Sequence, residues 1–470
     1  MRKITRYNLI AFLVIFGGLM TKASAQPTRL IVTTDIGQDP DDQQSLVRLL
    51  HYANEFDIVG IIANADANND YELPIIKDSI IHQLIDDYAK IEDNLRLHNK
   101  SYPSATHLHS VVKKGCAGNS VSAPVLSYIG QGKDTEGSDW ILEKVLENNG
   151  PTAISVWGGG ADLAQALWKA RATLPEEKLA TFVERMVVYF INKQDSSCDW
   201  IIEEFPKLTV ILGFSTSGDK WASAYRGMFL GGDLSLTSRA WLNEHILGKN
   251  PLANQYPTEA YTGGKSRNPN NALKEGDTPA WLYFLRNGLN HPTYPSWGGW
   301  GGRYQETRSG FYTDAEDTYL DRVTEEAKTL PIVTVFRWRP AFQHDFAARV
   351  QWATTNYENA NHPPIPVIEG QSDDYILQKT IAAGEVTHLD ATSSYDPDGD
   401  GLSYQWYFYE EAGTVENPSS FIQGATSEPV ITLRIPQANL SSKTAHLLLE
   451  LTDNGSPSLV GYRRVVLTIE

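Results

Sequence analysis

The chain has 470 residues and a formal net charge of −17 at pH 7, which is enough material for more than one globular domain. So acidic a surface repels nucleic-acid backbones, and no cluster of Lys and Arg offsets it, which argues against nucleic acid as a partner. Only two cysteines are present, Cys116 and Cys198, so disulfides do not frame the fold, and one bridge or two free thiols are both open.

The first 25 residues have the order of a secretory signal peptide. Arg2, Lys3 and Arg6 precede the apolar run Leu9–Met20 and the small residues Ala23-Ser24-Ala25. That run is too short to span a bilayer, and no later run is long and apolar enough. The sequence therefore predicts an exported protein, secreted or periplasmic, without membrane insertion. Its mature net charge is about −21, since cleavage removes four basic residues and no acid.

Residues 26–360 predict an α/β domain. Short apolar segments alternate with amphipathic ones up to about Phe229, which indicates a mostly parallel sheet flanked by helices. Apolar stripes at helical spacing cover 46–53 and 163–168. Residues 230–310 favour long loops and short helices, and the charged stretch 314–328 is compatible with a helix. The predicted strands are Leu30–Thr34, Ile58–Ala63, Ala153–Trp157, Met186–Ile191 and Thr209–Gly213.

Residues 361–470, which begin with the Pro-rich boundary segment Asn361–Pro366, predict a β-sandwich with short alternating strands and turns between them. The Asp-rich segment Asp396–Gly401 is either a tight turn or a second Ca²⁺ loop. The predicted strands are Lys379–Leu389, Leu402–Tyr409, Val430–Ile435, Ala445–Leu451 and Tyr462–Ile469.

Four carboxylates follow the first predicted strand within eight residues: Asp35, Asp39, Asp41 and Asp42. In parallel sheets, ligands bind at the carboxyl ends of the strands. Crowded carboxylates repel one another, and oxygen-only ligands suit Ca²⁺ or Mg²⁺. The alternative is a solvated turn in which Asp41 or Asp42 only caps the following helix.

Polar residues follow three further predicted strands. Asn64 and Asn68 come after the second, the segment 158–162 (Gly-Gly-Gly-Ala-Asp) comes after the third, and Asp195 comes after the fourth. Because the carboxyl ends of parallel strands meet at one edge, these groups are expected to line a single crevice with the acidic cluster.

The segment Thr34–Asp42 resembles the amino-terminal Asp-x-Gly-x-Asp-Asp motif of inosine-uridine-type nucleoside hydrolases. The whole chain more closely resembles the bacterial cellulose-binding-protein family that joins a nucleoside-hydrolase-like domain to an immunoglobulin-like domain. The segments that carry this second resemblance are Ser45–Phe56, Trp157–Leu167, Gln194-Asp195, Glu275–Leu289, Trp297–Tyr304 and Arg337–Arg349.

The resemblance implies one Ca²⁺ at the strand ends and a role for each matching residue. Asp35 matches the acid that touches the metal and activates water, and Asp41 matches a neighbour that binds sugar hydroxyls. Asn64 or Asn68 matches the sugar-binding asparagine. Gly276 stands where one subgroup has a histidine that helps the nucleobase leave, which favours a sugar over a nucleoside. The remaining implied metal ligands are Asp42, the carbonyl of Ala161, and Asp277.

These residues suit hydrolysis at an anomeric carbon, with Asp35 as the base that removes a proton from water. Asp195 is expected to contact substrate, and the proton donor is open among Asp195, Glu275, His291 and Glu306. The alternatives are a carbohydrate-binding protein without catalysis and a true nucleoside hydrolase. Paired indoles can close over a sugar ring. The predicted sugar-binding loop, whose alternative role is packing, contains Trp297, Trp300 and Arg303.

Overall fold

The computed structural model describes residues 27–37, 39–65, 75–215, 220–258, 272–320, 326–372, 376–437 and 440–470. The predicted signal peptide and Asn68 lie outside these ranges. Within them, no helix has both the length and the apolar character needed to cross a bilayer. Cys116 and Cys198 are buried free thiols.

The N-terminal part is built on an eight-stranded sheet in the order β3-β2-β1-β4-β5-β6-β8-β7. All neighbouring pairs are parallel except β7 and β8, which form an antiparallel pair at one edge. The strands are β1 (Thr28–Thr34), β2 (Phe56–Ala63), β3 (Val112–Lys114), β4 (Thr152–Val156), β5 (Met186–Phe190), β6 (Thr209–Leu212), β7 (Tyr304–Arg308) and β8 (Phe311–Asp314). The predicted α/β class is confirmed.

Helices cover both faces of this sheet because its central strands are apolar on both sides. Leu30 and Val32 of β1 pack into one core cluster, whereas Ile31 packs into another on the opposite face. The helices are α1 (Pro40–His51), α2 (Asp78–Tyr88), α3 (Glu92–His98), α4 (Ala105–Ser110), α5 (Glu136–Glu147), α6 (Ala161–Thr173), α7 (Glu176–Glu184), α8 (Ser197–Glu204), α9 (Arg239–His245), α10 (Thr278–Leu282), α11 (Val333–Phe336) and α12 (Arg339–Trp352).

The C-terminal part is the predicted β-sandwich, in which a four-stranded sheet (β11-β17-β16-β13) faces a three-stranded one (β12-β15-β14). Trp406, Leu449 and Leu467 lie in the core between the two sheets. The strands are β11 (Leu377–Ile381), β12 (Val386–Asp390), β13 (Ser403–Phe408), β14 (Ile422–Gln423), β15 (Val430–Arg434), β16 (Thr444–Thr452) and β17 (Val460–Ile469).

The four-stranded sheet is covered on both sides, whereas antiparallel sheets commonly leave one face in solvent. Its other side, here called the outer face, packs against the N-terminal part through aromatic rings. Trp338 lies edge-on to Tyr409 and Tyr462, each at 5.8 Å between ring centroids. The outer face comprises Tyr407, Tyr409, His446, Leu448, Glu450, Tyr462 and Arg464.

Two expectations about secondary structure are wrong. The stretch 314–328 is not helical where it is described: β9 (Asp317–Leu320) pairs with β10 (Ala327–Leu330) in an antiparallel ribbon. Burial follows a strand-like period there, because Asp317 is buried and Thr318 is exposed. The predicted strand Lys379–Leu389 is two strands, β11 and β12, which belong to different sheets and are separated by a turn at Gly384 with φ +83°.

The contact between the two parts requires glycine at position 288. Gly288 has φ +81°, and a Cβ atom there would lie 2.1 Å from the Tyr462 carbonyl oxygen. Gly248 has a similar φ of +76° but open space around it. Alanine in a positive-φ conformation costs a similar free energy at both positions, so the difference between the two variants measures the steric clash. We expect Gly288→Ala to lower the unfolding free energy by about 1–3 kcal/mol more than Gly248→Ala does. Urea unfolding of the full chain measures both; equal losses would contradict the tight contact.

Candidate functional site

Three carboxylates from distant parts of the chain converge at the carboxyl edge of the large sheet. Asp41 and Asp42 lie in the first turn of α1, directly after β1, and Asp277 precedes α10. One oxygen from each lies within 4.8 Å of the others. Such a group of oxygen ligands suits a hard divalent cation, although acidic clusters also occur without one.

The cluster is electrostatically strained. Burial, followed by the negative charge of Asp41, raises the pKa of Asp42 to about 7, against hydrogen bonds from Thr34 and Asp35 that lower it. Burial and the three neighbouring aspartates raise the pKa of Asp277 well above its usual value. Its Oδ2 is buried and has no hydrogen-bond partner within the described part of the chain. A cation would relieve both the repulsion and the missing partner.

Lys274 supplies a positive charge beside this cluster. Its ammonium group contacts Asp39 and lies 3.3 Å from Asp41. Even so, burial and the charge of Asp41 together raise the pKa of Asp39 to about 8, because they outweigh the ammonium. One lysine thus compensates only part of the negative charge.

Asp35 lies at the end of β1, buried beside Asp42. A Cβ atom on Gly158 would lie 2.7 Å from the Asp35 carboxyl group. The loop after β4 therefore approaches Asp35 through bare backbone, and this is why a glycine is required there. The loop continues into Ala161, the first residue of α6.

A buried ion pair holds the segment around Asp277 against α1. Arg48 Nε lies 2.6 Å from Glu275 Oε2, and both side chains are fully buried. Tyr256 and Thr278 also donate hydroxyl hydrogen bonds to the Glu275 carboxylate, at 2.6 and 3.0 Å. Gln44 Oε1 accepts from the backbone N–H groups of residues 274 and 275. Asp277 is therefore positioned by α1, the helix that carries the other two acids.

Asn64 and Asp195 are also brought to this edge, where they hold the loop after β4. Asn64 Nδ2 donates to the Gly159 carbonyl at 3.0 Å. Asp195 accepts from the backbone N–H of Ser197 at 2.9 Å and from Asn119 at 3.3 Å. These internal bonds occupy much of the Asp195 carboxylate and favour a positioning role over the predicted substrate contact.

The three predicted sugar-binding residues of the loop 297–303 pack elsewhere. Trp300 is 3 % exposed and lies edge-on to Tyr462 of the outer face. Trp297 stands edge-on to His446, at 5.1 Å between centroids. Arg303 forms an ion pair with Asp317 at 2.7 Å. The loop is a platform for the C-terminal sandwich, so we assign no substrate contact to these side chains.

All four candidate proton donors are placed away from the cluster or committed to other bonds. Glu275 is held in the buried ion pair with Arg48. His291 lines a cleft at the opposite edge of the sheet, together with Thr28 and Thr152 from the starts of strands. Glu306 lies on β7 and accepts from the Gly310 N–H. The fourth, Asp195, is bonded as described above.

Sequence reasoning missed Lys274 and Tyr225. Tyr225 is close enough for Asp41 and Asp277 to contribute, after burial, to raising its pKa to about 12. Neither residue belongs to a strand-end pattern; both come from long connections whose path a sequence alone does not reveal. The charge of Lys274, directly before the motif residues 275–279, was the available signal.

Comparison with known proteins gives matches over most of the chain. Residues 29–304 match the family model described as "Cellulose-binding Sde182, nucleoside hydrolase-like domain", and 386–469 match "Cellulose-binding protein Sde0182, C-terminal domain". A solved nucleoside hydrolase-related hypothetical protein from Saccharophagus degradans, associated with carbohydrate metabolism, is 32 % identical with a TM-score of 0.78. That match covers 95 % of this chain and 100 % of the other.

The effector protein XOO4466 matches at 10 % identity and a TM-score of 0.37, over 70 % of this chain and 95 % of its own, which is too distant to support an argument. No curated protein matches.

The strain in the cluster predicts an unusual pH dependence in the absence of divalent cations. The pKa of Asp42 is about 7 in the folded protein, above its usual value of 3.8, so its contribution to stability is fully present below pH 3.8 and is lost progressively as the pH rises to about 7. In chelator, Asp277→Asn should remove repulsion and raise the unfolding free energy at pH 8 by about 1–3 kcal/mol.

Chemical unfolding at pH 5 and pH 8 measures this effect. Asp93→Asn, at an exposed aspartate in the first turn of α3, is the control and should lower the unfolding free energy by at most about 1 kcal/mol, through the helix dipole. A lower unfolding free energy for Asp277→Asn than for the wild type at pH 8 would contradict the repulsion among the cluster carboxylates.

Proposed function

Because the chain belongs to the family of cellulose-binding proteins with a nucleoside hydrolase-like domain, we propose that it is an exported, Ca²⁺-dependent hydrolase of glycosidic bonds in a carbohydrate. The convergence of Asp41, Asp42 and Asp277 at the carboxyl edge of the sheet is the observation that carries this proposal. The description of the family supports a carbohydrate as the partner.

The donor set fits the proposed ion. Asp42 and Asp277 would hold it together with Asp35 and the backbone carbonyl of Ala161, and the unpartnered Oδ2 of Asp277 is the clearest sign of a missing positive charge. When bound, Ca²⁺ would supply the charge that fixes two sugar hydroxyls and lowers the pKa of a water molecule. Asp41, the least buried of the cluster's three acids, would accept hydrogen bonds from the sugar.

Asp35 is the proposed general base. It is buried beside Asp42 and next to the bare backbone of Gly158, a position from which its carboxylate would take the proton of a water attacking the anomeric carbon. The surrounding carboxylates would stabilise the positive charge that develops on the sugar ring. Direct attack by water inverts the anomeric configuration, so inversion is the expected stereochemical outcome.

Binding without catalysis is the second candidate function. It is favoured by the positions of Glu275, His291 and Glu306, which leave no dedicated proton donor among these candidates at the cluster. A nucleoside hydrolase is the third, and Gly276 argues against it. A Cβ atom at position 276 would lie 2.7 Å from Asp41 Oδ2, so a histidine there would displace a cluster carboxylate.

Calcium should stabilise the folded protein through the cluster. We expect Ca²⁺ added after chelation to stabilise the wild type by about 3 kcal/mol at a hundredfold excess over the dissociation constant. Asp42→Asn should abolish most of this gain, whereas the surface control Asp93→Asn should keep it. Thermal melting of the mature protein provides the measurement. An unchanged wild-type melting temperature would rule out a calcium site of useful affinity.

Turnover should depend on Asp35. If the protein is a hydrolase, Asp35→Asn should lower kcat by about 10²–10⁴-fold, the usual contribution of a positioned base. Release of reducing sugar from cello-oligosaccharides and other plant glycans is the assay, with a nucleoside panel run in parallel. Turnover that survives in Asp35→Asn would refute the assigned base. A wild type that binds glycan without any turnover would favour the second candidate.

A further inference from the structure

A further cavity lies between the two parts of the chain. This interdomain groove has a volume of about 470 Å³ and is lined by the start of α12 and by the outer face of the sandwich. Its size falls within the range of about 300–1,000 Å³ typical of small-ligand sites. All of its lining residues belong to the described chain, and none belongs to the acidic cluster.

The groove contains a carboxylate that has no cationic partner. Glu450 of β16 is partly buried, and the Tyr407 hydroxyl donates to its Oε2 at 3.2 Å. No Lys, Arg or His nitrogen of the described residues is recorded within 4 Å of it, although Arg337 lines the same groove and pairs instead with Asp317 and Glu411. A desolvated carboxylate with one neutral donor retains capacity for further hydrogen bonds.

Aromatic rings and other polar groups surround this carboxylate. Tyr462 is the direct cross-strand neighbour of Glu450, and Trp338 faces Tyr462 from α12's side of the groove. The Trp338 indole N–H has no acceptor among the described residues. His344 donates through Nδ1 to the Ser458 carbonyl at 3.1 Å, so its Nε2 is an acceptor when the ring is neutral.

We propose that the interdomain groove is a second carbohydrate-binding site, which takes one end of a neutral glycan. Sugar rings combine apolar C–H faces, which pack on aromatic rings, with hydroxyl groups, which donate to carboxylates. Glu450 would accept from sugar hydroxyls, while the half-buried ring of Tyr407 would contact the sugar face. An anionic sugar is disfavoured, because the unpaired carboxylate would repel it.

This site rests on the proposed function only in its ligand class, a carbohydrate. It assigns glycan binding to a place that needs neither Ca²⁺ nor catalysis. A chain held at the groove would keep a polymer attached while the crevice acts on another part of it. Because the two sites share no residue, variants of one can be compared directly with variants of the other.

The test is calorimetric titration of the full mature protein with cellotetraose, in buffers with calcium and with chelator. Glu450→Gln preserves the shape of the side chain and removes the charge, and should weaken binding by about tenfold or more. Tyr407→Phe keeps the ring and removes the hydroxyl, and should weaken binding less. The control is Glu416→Gln, at an exposed glutamate of the same sandwich, which should bind like the wild type.

The outcomes separate the groove from the proposed function. Loss of binding in Glu450→Gln but not in Asp42→Asn, with a wild-type melting temperature for Glu450→Gln, supports the groove. Binding that is lost in Asp42→Asn or in chelator and kept in Glu450→Gln overturns it while leaving the calcium crevice intact. Oligogalacturonate bound as tightly as cellotetraose would overturn the preference for a neutral glycan. A wild type that binds no glycan would overturn both proposals.

Discussion

The fully buried ion pair between Arg48 and Glu275 is the interaction on which the acidic site depends. It joins α1, near the start of the chain, to the segment that precedes α10, more than 220 residues later. A buried pair of this kind adds little net stability, because each charge has lost its water, but breaking it leaves an uncompensated charge in the interior. The ion pair instead fixes geometry: Asp277 lies two residues from Glu275, so α1 determines the position of Asp277.

This arrangement explains how a fold tolerates carboxylates that repel one another. The polar bonds of Arg48, Gln44 and Thr278 hold the backbone in place, so the acids cannot relax by moving apart. Glycines at 158 and 276 remove the side chains that would otherwise keep the backbone away from Asp35 and Asp41. The resulting site concentrates negative charge, and burial together with the neighbouring aspartates raises the pKa values of Asp42 and Asp277.

The sequence predicted the elements that carry periodic signals. The β1, β2, β4, β5 and β6 strands were located to within two residues, because burial on both faces produces short, uninterrupted apolar runs. The links made by long connections could not be predicted. Lys274 and Glu275 contact α1 and the residue before it, although they are more than 220 residues away in the sequence. The Trp-Gly-Gly-Trp loop was predicted to bind sugar because exposed and packed tryptophans have the same sequence pattern.

Asp317 and Glu450 both lie on the contact between the sandwich and the α/β part, but among the described residues only Asp317 has cationic partners. Asp317 lies where the contact is closed; burial alone would raise its pKa, but Arg337 and Arg303 hold the pKa below its usual value. Glu450 lies where the contact opens into the groove, and there burial raises the pKa with only Tyr407 to oppose it. In a closed interface, a buried carboxylate without a cationic partner would lower the stability of the folded protein. Water or the hydroxyl groups of a ligand in the open space beside Glu450 would solvate this carboxylate and make its position tolerable.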